Sequence, residues 1–97
     1  MLPSNIAEVQ KYKFIQKLKN LPFIQKVILF GSRARGSQLS RSDIDLAIVC
    51  PNISKDQWLE IITIIDTADT LLSIDCVNFD MIDDELKKRI IIDGVTL

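Results

Sequence analysis

Apolar residues recur along this chain in two rhythms, one helical and one extended. From about Asn5 to Leu21, the residues Ile6, Val9, Tyr12, Phe14, Ile15 and Leu18 form a broad stripe at helical spacing, with Lys11, Lys13, Lys17 and Lys19 mostly off it. Ser4 suits the N-cap, Glu8 complements the helix dipole in the first turn, and Asn20 and Pro22 mark the end. The rhythm then changes. Lys26 to Phe30 is short and almost wholly apolar, ending at Gly31, and Ile44 to Cys50 is a second such run, ending at Pro51-Asn52. Helical spacing returns from Ser54 to about Thr67 through Trp58, Ile61, Ile62 and Ile65. Ser73 to Asn78 reads as a third strand. A last helix begins at a cap supplied by Asp83 or Asp84, runs to about Ile92 and closes at Asp93-Gly94 in the manner of a glycine C-cap.

The predicted order is helix, strand, turn, strand, helix, strand, helix. A helix between the second and third strands points to an α+β fold, a small mixed β-sheet with helices packed on it. With 97 residues and no repeat, linker or low-complexity tract, residues 1–97 are expected to form a single domain.

Composition narrows the function classes. The formal net charge of −1 lacks the basic excess of a general nucleic-acid binder, though a local basic pocket for one anion is compatible with it. There is no histidine, so histidine general bases and histidine metal sites are excluded within the chain. Cys50 and Cys76 each sit in an apolar run and read as buried thiols of a reducing compartment. No apolar run approaches the roughly 20 residues of a membrane span, and no basic-then-apolar leader opens the sequence. A cytoplasmic location is therefore the expectation. The apolar fraction of 47% is high for so small a domain and suggests that a partner covers part of it.

The candidate chemistry lies in Phe30-Gly31-Ser32-Arg33-Ala34-Arg35-Gly36 and Ser42-Asp43-Ile44-Asp45-Leu46. Strand alternation turns Asp43 and Asp45 to one face while Ile44, Leu46 and Ile48 anchor the other in the core. Two close carboxylates repel unless a cation lies between them, and hard divalent cations such as magnesium take oxygen ligands of this kind. Alone, Asp-x-Asp is common and equally suits an exposed acidic strand start. Gly31 permits a sharp turn and a close ligand approach. Ser32 and neighbouring backbone N–H groups can hold phosphate oxygens. Arg33 and Arg35 add positive charge, and their spacing lets only one of them face a triphosphate. Alone, this too is an ordinary strand-to-helix turn. Together the two halves describe a magnesium–triphosphate site between neighbouring strands. Asp75, within Ser73-Ile74-Asp75-Cys76-Val77, is a third carboxylate. If buried in an apolar strand it needs a partner, and a metal centre shared with Asp43 and Asp45 would be one; on an exposed face it would meet only water. Three carboxylates and two magnesium ions suit in-line nucleotidyl transfer.

Gly31-Ser32, ten intervening residues and Asp43-Ile44-Asp45 resemble the nucleotidyltransferase signature of the DNA polymerase beta superfamily. With Asp75 and the terminal Asp93-Gly94-Val95, nearly the whole chain is similar to the minimal nucleotidyltransferase (MNT) antitoxins that pair with HEPN-domain toxins. The resemblance implies the small nucleotidyltransferase core fold, with Asp43 and Asp45 binding two Mg2+ ions and Asp75 binding the catalytic ion and helping to activate the acceptor hydroxyl. It implies that Gly31 and Ser32 hold the triphosphate, and that the enzyme moves AMP from ATP to a tyrosine of a HEPN toxin within a hetero-oligomer. Two other readings stay open. One is an antitoxin that acts by binding alone; the other is a nucleotidyltransferase acting on a small molecule or an RNA end.

Other features carry less. Trp58 shares the helical spacing of Ile61 and Ile65 and reads as core or interface rather than a base-stacking platform. The lysines of the first helix read as a solvated face. Asp66 and Asp69 read as capping or solvent residues near a helix end. Asp80, Asp83 and Asp84 read as serving the turn into the last helix.

Overall fold

The computed structural model describes residues 8–31, 34 and 43–97, and the elements below are those of the described residues. Four strands, β1 (Lys26–Phe30), β2 (Ile44–Val49), β3 (Ile74–Asn78) and β4 (Val95–Thr96), form a mixed sheet in the order β3-β2-β1-β4. Three helices accompany it: α1 (Lys13–Lys19), α2 (Lys55–Asp66) and α3 (Asp84–Asp93), with a short 3-10 turn at Phe79–Met81.

β1 and β2 pair antiparallel with Phe30 opposite Asp45, and β2 and β3 pair parallel with Asp45 opposite Asp75. The parallel pair needs a crossover, and α2 supplies it between β2 and β3. Period-2 alternation sends Val27 and Leu29 of β1 and Ile44, Leu46 and Ile48 of β2 to one face, where all are buried. They meet Phe14, Ile15 and Leu18 of α1 and Ile61 of α2 in one cluster. The other face is partly covered by α3, whose Ile90 is buried against it.

Three expectations are corrected. The first helix is not continuous. Residues 8–10 are helical, the chain breaks at Lys11 and Tyr12, and α1 starts afresh at Lys13. Tyr12 is extended (φ −63°, ψ 138°) and makes no side-chain cap. Instead the Lys13 N–H donates to Asp69 Oδ2 at 3.3 Å. Asp69 therefore caps, but it caps a helix 56 residues distant in sequence, which no local pattern could reveal. Burial pushes its carboxyl up, and the N–H groups of Lys13, Asp69 and Phe14 together outweigh that and hold it below its ordinary value. The expected Ser4 cap lies outside the described residues.

The sheet also has a fourth strand. Val95 and Thr96 pair with Leu29 and Ile28, and Leu97 N–H donates to the Val27 carbonyl at 2.8 Å. Two residues are too few to display an alternation. Finally, Gly94 does not end α3 in the left-handed conformation, for it is extended at φ −73°, ψ 155°. Glycine is needed there for space. A Cβ would overlap the Ile90 carbonyl oxygen and stand 2.6 Å from Ile28 Cγ2.

The other two helices are capped, α3 by the expected Asp83. Ser54 and Gln57 form a reciprocal capping box on α2, and Asp83 accepts from the Leu86 N–H at 2.8 Å on α3.

Candidate active site

β1 ends at Phe30 and its exit is Gly31, which adopts φ +75°. That left-handed conformation is costly for any residue with a Cβ. A second constraint acts at the same place. A Cβ on Gly31 would overlap Oδ2 of Asp45 and lie 3.2 Å from its Cγ. The turn and the carboxylate are thus one structure, in which the absence of a side chain lets the Asp45 carboxylate lie against the backbone leaving β1.

Asp45 is half-buried on the central strand, with Ile44 and Leu46 fully buried on either side of it in sequence. These neighbours lock its backbone, so the direction of its side chain is set by the core on the opposite face. Asp75 is its register partner on β3. Cα atoms of such partners lie about 4.8 Å apart, and their side chains leave the sheet on the same side. Asp43 is exposed at the threshold of β2, where the Ile44 N–H donates to the Ser73 carbonyl at 2.9 Å and ties the start of β2 to β3.

Asp75 is exposed. It has no burial cost for a partner to offset, because β3 is at the edge of the sheet and α3 covers β1 instead. Its place rests on register. Nor are the carboxylates drawn to a point: among the described residues no three acidic or cysteine side chains gather as a closed ligand cluster. Like charges on one face keep apart. The donor set nevertheless fits a hard divalent cation. It offers only carboxylate oxygens, two of them in register on rigid strands, and a glycine turn shaped around one of them.

Ser32, Arg33 and Arg35 lie outside the described residues. The cysteines are no part of the site. Burial, with a smaller contribution from Cys50, pushes the Cys76 thiol up to about 12, and burial followed by the charge of Asp80 raises that of Cys50. Both stay protonated near neutrality and are poor ligands or nucleophiles.

One neighbour of the site escaped the sequence reading. A cavity of about 160 Å3 opens beside Gly31 and is lined by Phe30, Gly31, Leu86, Arg89 and Asp93. Leu86, Arg89 and Asp93 recur at helical spacing on α3 beside the buried Ile90. That periodicity was visible in the sequence, but only the packing of α3 over β1 brings it to the turn.

The chain is similar to known proteins in sequence and fold. Residues 12–97 match the family model described as "Polymerase beta, Nucleotidyltransferase". A toxin–antitoxin crystal structure with AMP-PNP is 26% identical, with a TM-score of 0.60 over 86% of this chain and 68% of that one. A crystal structure of a mutant of the toxin–antitoxin MntA-HpeT is also 26% identical, with a TM-score of 0.63 over 100% of this chain and 72% of that one. A putative nucleotidyltransferase from Sulfolobus solfataricus, at 24% identity and a TM-score of 0.59 over 99% and 87% of the two chains, shares the fold. No curated protein matches. The glycine turn, the in-register aspartates and the family match over residues 12–97 lead to one assignment: the chain belongs to the polymerase beta family of nucleotidyltransferases.

Proposed function

We propose that this protein is a minimal nucleotidyltransferase antitoxin that transfers AMP from ATP to a tyrosine hydroxyl of a HEPN-type toxin. The observation that carries the reading is the fit of Gly31 around the Asp45 carboxylate, with Asp75 in register beside it. The similar toxin–antitoxin structures, one with an ATP analogue, support the nucleotide and the class of partner.

In this reading Asp43, Asp45 and Asp75 hold two magnesium ions, which supply charge neutralisation and a lowered hydroxyl pKa when bound. Gly31, Ser32 and one of Arg33 and Arg35 hold the triphosphate. The tyrosine oxygen forms a bond to the α-phosphorus, the bond to pyrophosphate breaks, and the hydroxyl proton leaves by way of the exposed Asp75. Asp75 is open to an incoming macromolecule, as an acceptor carried on another protein requires.

The test is to incubate the protein with its toxin, ATP and magnesium and to read intact mass. An AMP-sized gain on the toxin is expected. Folded protein that yields no gain overturns the enzymatic reading.

One observation favours occlusion as a second reading. Leu59, Met81, Ile91 and Ile92 are 62%, 80%, 70% and 78% exposed. Such side chains suit a stable contact. An Asp43→Asn, Asp45→Asn double variant that still protects cells would show that binding alone suffices.

A further inference from the structure

The cavity beside Gly31 separates two kinds of charge. Across the sheet the order is Asp75 on β3, Asp45 on β2, the Phe30–Gly31 exit of β1, and then α3 with Arg89. Asp45 and Asp75 thus lie on one side of the glycine turn, and Arg89, with Asp93 beside it, on the other. A metal-loaded polyphosphate has the same polarity: its cations sit on the carboxylate side and its free phosphate oxygens extend away from them.

Resting on the nucleotidyltransferase reading above, we infer that Arg89 binds the polyphosphate tail of the nucleotide, the part that leaves as pyrophosphate. Arg89 lines the cavity and its own residue is exposed, so the guanidinium is available to a ligand. It projects from a ten-residue helix anchored by Ile90, which gives it a firm base. A planar guanidinium presents paired N–H donors that match two phosphate oxygens. Asp93, one turn further along α3, lines the same cavity. Its charge disfavours a bare anion and leaves the cavity selective for a phosphate chain already neutralised by a cation. Phe30 and Leu86 supply apolar walls that lower the local dielectric and strengthen the guanidinium contact.

The test compares ATP and AMP binding, each with magnesium, by calorimetry on the parent, Arg89→Ala and Arg89→Lys. Both substitutions fall on an exposed helix position, and circular dichroism checks the fold. In Arg89→Ala the affinity for ATP should fall about ten-fold or more while that for AMP stays unchanged. Arg89→Lys should fall between, since it keeps the charge and loses the fork. Equal losses for ATP and AMP would place Arg89 on the nucleoside and overturn the inference. A variant that binds ATP as the parent does overturns it too, while leaving the nucleotidyltransferase reading intact. A parent that binds neither nucleotide removes both.

Discussion

Asp45 and Asp75 are direct partners across two parallel strands, although 30 positions separate them in the chain. The α2 crossover makes the pairing, and the buried residues flanking Asp45 fix which way its carboxylate faces. A nucleotidyltransferase needs carboxylates held at a set separation while charge moves on the phosphate. Under the proposed function, adjacent strands would hold Asp45 and Asp75 in that way without a loop that could shift.

Removing either carboxylate's charge should therefore affect chemistry and fold differently. Asp75→Asn lies on an exposed edge-strand position, so its stability should stay within about 0.5 kcal/mol of the parent. AMP transfer, measured by intact mass against time, should fall at least about 100-fold for Asp75→Asn and for Asp45→Asn. Transfer by both variants at the parent rate would remove these residues from the active site.

Gly31→Ala should fail for two independent reasons. The left-handed backbone alone costs about 1–2 kcal/mol with a Cβ present, and the new methyl overlaps the Asp45 carboxylate. The expected result is a lower denaturation midpoint together with loss of nucleotide transfer. The variant Gly31→Ala, Asp45→Ala relieves the overlap, since Asp45 Cβ is at ordinary contact distance, but not the backbone strain, so its stability should recover only in part while activity stays absent.

Gly94→Ala separates close approach from conformational freedom. Its backbone angles are open to alanine, so a purely conformational view predicts no loss. Contact with the Ile90 carbonyl and Ile28 predicts a loss of about 1–3 kcal/mol in urea unfolding, as α3 and β4 are pushed off β1.

The cap of α1 gives a pH signature. Asp69 has a folded-state pKa below its ordinary value of 3.8, so its contribution to stability is complete above that value and is lost as pH falls through the lowered one. Asp69→Ala should melt a few degrees below the parent at pH 7. The gap should close on acidification below pH 3.8 and should not change between pH 6 and 8. A gap that persists unchanged at the acid end would show that the carboxylate charge contributes nothing to the cap.

Much of the candidate site was legible locally. The strand Lys26–Phe30, the glycine at its end and the aspartate alternation around Ile44 all follow from rules that act over a few residues. So do the Ser54 and Asp83 caps. Of the two settings open to Asp75, buried or exposed, the structure has the exposed one, and strand register is what joins it to Asp45. The break at Tyr12 was hidden because the apolar stripe continues through it, and the carboxylate that restarts the helix comes from Asp69.

By itself, then, the sequence determined the first three strands, the two later helices, where the carboxylates lie and where the chain can turn, because these depend on periodicity, caps and glycine over spans of a few residues. The tertiary structure decided what faces what. It placed Asp75 beside Asp45, wrapped Gly31 around a carboxylate, added β4 to the edge of the sheet and carried Arg89 to the mouth of the turn. Each of these joins residues far apart in the chain. Such pairings are set by the burial of a shared core and the register of the sheet, which no short window of sequence contains.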